Sequence, residues 1–143
     1  MRTQSSMRPL RIRVRENNLH IDLAMVRALQ RGPVTKRPWG RFTTYIANSN
    51  GVTVKIIMVN PGQRLSLQYH SKRSERWICL EGDAFVEINS RKRVLRPAQE
   101  AEVPVGAKHR LSAGPLGTKV LEISQGIFEE DDVVRLEDDY GRV

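Results

Sequence analysis

From Arg37 onward, short runs of β-branched and aromatic residues alternate with turn-forming ones. The runs are Phe42–Ala47, Val52–Val59, Arg64–His70, Glu75–Leu80, Ala84–Asn89, Arg93–Leu95, Ala101–Val103, His109–Ser112 and Lys119–Ser124. Between them stand Asn48-Ser49-Asn50-Gly51, Asn60-Pro61-Gly62, Glu81-Gly82-Asp83, Pro104-Val105-Gly106 and Gly114-Pro115. Many short strands at even spacing predict an all-β fold, an antiparallel sandwich or barrel over about residues 37–128. Upstream the period changes. Leu19, Leu23, Val26 and Leu29 fall near helical spacing, Asn17-Asn18 can cap them and Gly32-Pro33 stops them. That predicts a short helix over residues 19–30. The expected organisation is an N-terminal extension, residues 1–36, made of an arm and this helix, then a barrel, residues 37–143. The barrel ends in the acidic stretch Glu129–Asp139, which holds seven carboxylates against Arg135. We expect this stretch to face solvent, docked by Val133, Val134 and Leu136.

Composition narrows the class. The 143 residues suit one domain with a proper core. No apolar run approaches the ~20 residues of a membrane helix. The first arginines are followed by no apolar stretch, so the start does not read as a secretory signal. Cys79 is the one cysteine, which rules out an intrachain disulfide. The expected location is the cytoplasm. The net charge of +8 is uneven: residues 1–36 hold eight Lys and Arg against Glu16 and Asp22. Arg11, Arg13 and Arg15 alternate with Ile12 and Val14. Such an arm can grip phosphate backbones. No aromatic interleaving or nucleic-acid module accompanies it, so a solvated tail, or an arm pairing with a second subunit, is the preferred reading. Barrel edges that need cover point to a homodimer.

The candidate chemistry lies in two glycine-turn segments, Gly62–Gly82 and Pro104–His109. They supply Gln68, His70, Glu75 and His109. Two imidazoles, a carboxylate and an amide oxygen suit one divalent ion, with zinc first and manganese, cobalt or iron as alternatives. Side chains on a strand alternate faces. If Arg64–His70 is one strand, then Arg64, Ser66, Gln68 and His70 share a face. Glu75, Trp77 and Cys79 share one on the next strand. Polar groups converging inside a small barrel are costly to bury without a partner. Read singly, His70 is a surface or satisfied histidine, Glu75 a surface ion-pair partner in a basic run, Tyr69 and Trp77 packing, and His20 exposed.

The spacing Gly62-x5-Gln68-x-His70-x4-Glu75-x6-Gly82 resembles the first cupin motif, with glutamine in place of its first histidine. Pro104-x-Gly106-x2-His109 resembles the second. The stretches Arg37-Pro38-Trp39-Gly40, Pro61-Gly62-x-Arg64-Leu65-Ser66-Leu67-Gln68, Glu75-x-Trp77, Lys108-His109-Arg110-Leu111 and Asp131–Arg142 resemble the type II phosphomannose isomerase group. The likeness covers roughly residues 36–143. It implies a cupin-type antiparallel β-barrel, a double-stranded β-helix or jelly roll. It also implies interconversion of mannose 6-phosphate and fructose 6-phosphate. Members of that group are often the C-terminal half of a bifunctional enzyme. This chain has no Gly-rich nucleotide loop and no room for a nucleotidyltransferase, so a stand-alone isomerase-type cupin is expected. The family commonly has further histidines where this chain has Lys72 and Arg76.

Aldose–ketose isomerisation moves a proton between C1 and C2 through an enediol. It calls for a Lewis acid, a cation beside the developing charge and a cationic holder for the phosphate. Arg64 is the expected phosphate or enediolate contact, from strand parity. Arg142 is carried over from the family's terminal Asp-Tyr-Gly-Arg element as an active-site arginine. The general base is open among Lys55, Lys72 and Lys108, with Lys108 last because it adjoins His109 and faces away. A non-catalytic metal cupin that binds a sugar phosphate or serves as an assembly module is the alternative. A metal oxygenase is a third class, disfavoured by Gln68 and the surplus of cations.

Overall fold

The computed structural model describes residues 32–143. The expected helix over 19–30 and the Arg11–Arg15 alternation lie outside the described residues. Within them there are nine strands and no helix. Thus no helix among the described residues is long and apolar enough to cross a membrane. The strands are β1 (Val34–Arg37), β2 (Gly40–Ser49), β3 (Val52–Val59), β4 (Leu67–Tyr69), β5 (Arg73–Ile88), β6 (Arg91–Leu95), β7 (Glu100–Val103), β8 (His109–Gly126) and β9 (Val134–Glu137). They form one antiparallel sheet in the order β1-β2-β3-β8-β4-β9, with β5 pairing β8, β6 and β7. The sheet curls on itself through the long β5–β8 ladder, and the all-β expectation holds.

Two expected turns are bends inside strands. Glu81-Gly82-Asp83 does not separate two strands, and neither does Gly114-Pro115. β5 and β8 run through them and stay paired from Arg73↔Gly126 to Ile88↔His109, with register shifts around Cys79–Ala84. Gly82 and Gly117 make this possible. Both have positive φ, and a Cβ on Gly82 would sit 2.3 Å from the Gly117 carbonyl oxygen. Bulged glycines bend a ladder without ending it, and the bend curls the sheet.

The alternation on β5 fills the interior. Arg73, Glu75, Trp77 and Cys79 are all buried, in line with parity. Trp77, Cys79, Val86, Leu95, Leu111 and Val120 form the core with Phe42, Ile57 and Val59 of β2 and β3 and Trp39 of the β1–β2 turn. β1 starts at Val34, three residues before the expected barrel boundary, and pairs β2.

The acidic stretch differs most from expectation. It is not merely a solvent-facing end docked by apolar residues. Its residues 134–137 are strand β9, paired on β4. Val134 and Leu136 are exposed, and only Val133 turns into the interior cleft. The segment docks through polar groups instead. The Asp132 carboxylate accepts hydrogen bonds from the Ser71 amide, the Ser71 hydroxyl and the Lys72 amide at 3.0, 2.7 and 2.9 Å. Three charge-assisted or hydroxyl contacts replace what apolar burial would have supplied.

Candidate metal centre

Three buried side chains meet at the inner end of the cleft. His70 follows β4, Glu75 lies on β5 and His109 opens β8. Their ligand atoms lie within 4.8 Å of one another. His70 Nε2 is 3.1 Å from Glu75 Oε1, and His109 Nε2 is 3.7 Å from Glu75 Oε2. Each imidazole is oriented from behind. His70 Nδ1 donates to the Asp132 carbonyl at 2.7 Å and His109 Nδ1 to the Ala107 carbonyl at 2.8 Å. A carbonyl only accepts, so the Nδ1 atoms carry protons and the Nε2 atoms face Glu75. Backbone acceptors of this kind fix a metal-binding histidine's tautomer and direction.

The residues fit a divalent ion. His109 Nε2 is buried and has no hydrogen-bond partner among the described residues. Burial first, and nearby positive charge as well, push the His109 imidazole toward its neutral form, which is the ligating form. The Glu75 carboxyl is penalised by burial, but His70, His109 and Arg73 outweigh that and keep it ionised. Gln68 stands directly across from His109 in the β4–β8 pairing. Its Oε1 accepts from Ser66 Oγ at 2.6 Å and its Nε2 is 3.4 Å from His70 Nε2. A half-turn of the amide exchanges the two atoms and aims the oxygen at the cluster, and the Ser66 hydroxyl can then accept instead of donate.

Arg73 competes for this place. Its Nε is 3.2 Å from Glu75 Oε1 and its Nη2 is 3.2 Å from His70 Nε2. It thus touches two of the ligand atoms, and an entering ion must displace those contacts. Above the cluster, the Trp77 indole N–H lies 3.2 Å from both Glu75 Oε2 and Glu122 Oε2. Burial first, then repulsion from Glu75, pushes the Glu122 carboxyl up, so it tends to hold a proton.

The cleft opens to solvent and holds a free volume of about 90 Å³. Arg37, Lys55, Arg73, Arg135 and Arg142 line it. The expected site residues divide accordingly. Gln68, His70, Glu75 and His109 converge. Lys55 is buried in the cleft, with Nζ 3.1 Å from Glu130 Oε1 and lying over the rings of Phe42 and Phe128. Arg142 lines it too, held by Asp138 at 2.7 and 2.9 Å.

Arg64 and Lys72 are placed outside. Arg64 is exposed and bonds Asp139 at 2.7 and 2.8 Å. The parity expectation fails because 64–70 is not one strand: β4 is only Leu67–Tyr69, and Arg64 makes an isolated bridge to Ser112. Leu65 turns in against the core, and Arg64 therefore turns out. Lys72 is exposed and bonds Glu129 at 2.6 Å. Lys108 is exposed, as expected. The surface reading of Glu75 is overturned by its burial, and Trp77 both packs and donates a hydrogen bond.

Arg73, Glu122, Arg37 and Arg135 were not among the expected site residues. Two had a signal. Arg73 shares the parity of Glu75 once the strand starts two residues earlier. Glu122 shares a face with Val120 and Ser124, a lone carboxylate in a buried strand. Arg37 and Arg135 reach the cleft through pairings that no local pattern announces.

Three comparisons bear on this site. The model of the family described as mannose-6-phosphate isomerase C-terminal matches residues 27–138. A mannose-1-phosphate guanylyltransferase, ManC, of Salmonella typhimurium is 41% identical over 109 residues, which cover 75% of this chain and 22% of the relative. The chain thus spans about a fifth of that relative's length. Among solved structures, Streptomyces PAC13 with uridine aligns with TM-score 0.67 at 14% identity, covering 77% of this chain and 88% of that one. Oxalate decarboxylase from Bacillus subtilis aligns with TM-score 0.65 at 18% identity, covering 76% and 31%. At such identities the two structures establish the cupin fold alone. The extent of the family match establishes more: the chain belongs to the mannose-6-phosphate isomerase C-terminal family.

Proposed function

We propose that this member of the mannose-6-phosphate isomerase C-terminal family is a metal-dependent isomerase of mannose 6-phosphate and fructose 6-phosphate. The observation that carries the reading is the buried His70–Glu75–His109 cluster at the end of a cleft lined by arginines and a lysine. When bound, a divalent ion, zinc first, supplies Lewis-acid polarisation of a sugar oxygen. Gln68, His70, Glu75 and His109 would hold it. The chain's own groups supply the rest. Trp39, Ile57 and Leu65 form an apolar wall that excludes water. Lys55 and Arg73 place positive charge where an enediolate develops. Glu122 is the carboxyl we assign to hold or move a proton, since it lines the cleft and, among the described residues, only Trp77 donates to it.

The cytoplasm is the proposed location and a homodimer the proposed state. In support of the dimer, β1 pairs only β2 among the described residues, leaving an edge to cover. The test of function is a coupled assay with mannose 6-phosphate, with and without added zinc, manganese, cobalt or iron. Turnover that needs metal is expected. Metallated protein that neither isomerises nor binds mannose 6-phosphate overturns the reading. A second reading, a non-catalytic sugar-phosphate-binding module, is favoured by Arg73 touching two ligand atoms. Binding without turnover would put it in first place.

A further inference from the structure

Three side chains stand in one row across the sheet. His109 of β8 pairs with Gln68 of β4, and Gln68 pairs with Arg135 of β9. Directly paired residues share a face, and neighbouring strands lie about 4.8 Å apart. Arg135 is therefore one strand spacing from Gln68, on the cleft side of the metal cluster. Arg37 enters the same cleft from β1.

The cations of the cleft are unequally partnered. Arg73 is held by Glu75, Lys55 by Glu130 and Arg142 by Asp138. Arg37 donates to the Lys36 carbonyl, and its one ion pair among the described residues is a long contact, 4.0 Å, to the exposed Glu130 that Lys55 already holds. Arg135 makes no ion pair among the described residues, and its Nε is buried without a hydrogen-bond partner. Two guanidinium groups without a carboxylate of their own face one cavity. Burial first, then repulsion from Arg142, lowers the Arg135 pKa, with Arg37 adding to it. Their mutual repulsion has to be offset, and a dianion between them would do so.

We propose that Arg135 and Arg37 form an anion subsite that takes the phosphate monoester of the ligand, while the rest of that ligand reaches toward the His70–Glu75–His109 cluster. The position rests on the sugar-phosphate reading of the cleft. A guanidinium fork matches phosphate oxygens in geometry, and the free charges match a phosphate monoester of about −1.5 to −2. Arg64, expected from the sequence to do this, is turned away toward Asp139.

The test is calorimetric titration of the full chain with mannose 6-phosphate, mannose and inorganic phosphate. It compares wild type, Arg135→Gln, Arg37→Gln and the exposed control Arg41→Gln. Arg135→Gln and Arg37→Gln should each weaken mannose 6-phosphate and phosphate binding by roughly ten- to a hundredfold, with metal content unchanged. Arg41→Gln should bind as wild type. If Arg135→Gln melts early because β9 no longer docks, Arg37→Gln on β1 decides. Wild-type affinity in both folded variants overturns the subsite, even where mannose 6-phosphate is isomerised. Absence of binding to both phosphate ligands by the wild type overturns it as well. Binding lost in the variants, with no isomerisation by the wild type, upholds the subsite and fails the isomerase reading.

Discussion

Two strand pairs contribute to the site and are held by different means. β5 and β8 form a long ladder over an apolar core, and they carry Glu75, Glu122 and His109. β4 and β9 form a short one, and they carry Gln68 and Arg135. The second pair is anchored mainly by polar contacts: Asp132 on residues 71–72, Glu137 on Arg110, and Asp139 on Arg64. The difference separates rigidity from adaptability. The buried ladder fixes the carboxylate of a metal cluster. The polar pair places cations that a ligand can reorganise, because exposed ion pairs are weak.

The largest way to break this contrast is Trp77→Ala. It empties the core side and removes the N–H shared by two glutamates. A loss of about 3–5 kcal/mol in denaturant unfolding is expected. Next, His109→Ala should abolish metal uptake by elemental analysis while the fold persists. Metal bound at wild-type level would remove His109 from the ligand set.

Asp132→Ala tests the polar side. Three hydrogen bonds to one carboxylate are lost, and about 1–3 kcal/mol is expected. Acid should reach the same anchor. The Ser71 hydrogen bond, working against burial, with the Ser71 and Lys72 amides and Arg73, lowers the Asp132 carboxyl to about 2. A depressed folded pKa contributes stability that is present above the unfolded value of about 3.9 and lost as pH falls toward about 2. Melting of wild type and Asp132→Asn should therefore differ above about pH 4 and converge toward about pH 2. A difference that stays constant across that window breaks the assignment. The smallest effect is expected of Arg64→Ala. The pair with Asp139 is 44% exposed on each side, so solvent screens it and the change in the denaturant midpoint should be close to nil. A marked loss of mannose 6-phosphate binding would return Arg64 to the cleft.

Much of this was legible in the chain. Val52–Val59 falls where its run of β-branched residues between two turns puts it. The motif spacing gave Gln68, His70, Glu75 and His109, because glycine turns and period two are local properties. At Gly82 and Gly114 the strands bend where the turn residues predict an end, since a glycine reads alike in a turn and in a bulge. Parity failed at Arg64 because it presumes an unbroken strand.

What the sequence determined by itself is the all-β class and the identity of the candidate ligands, both written in residue type and short spacing. What only the tertiary structure decided is which charges face the ligands. Arg135 reaches the cleft because β9 pairs with β4, more than sixty residues upstream. Glu122 comes beside Glu75 and Trp77 because β8 pairs with β5. Contacts of that range depend on how the sheet closes, and closure is settled by core packing and by the bulged glycines rather than by any pattern along the chain.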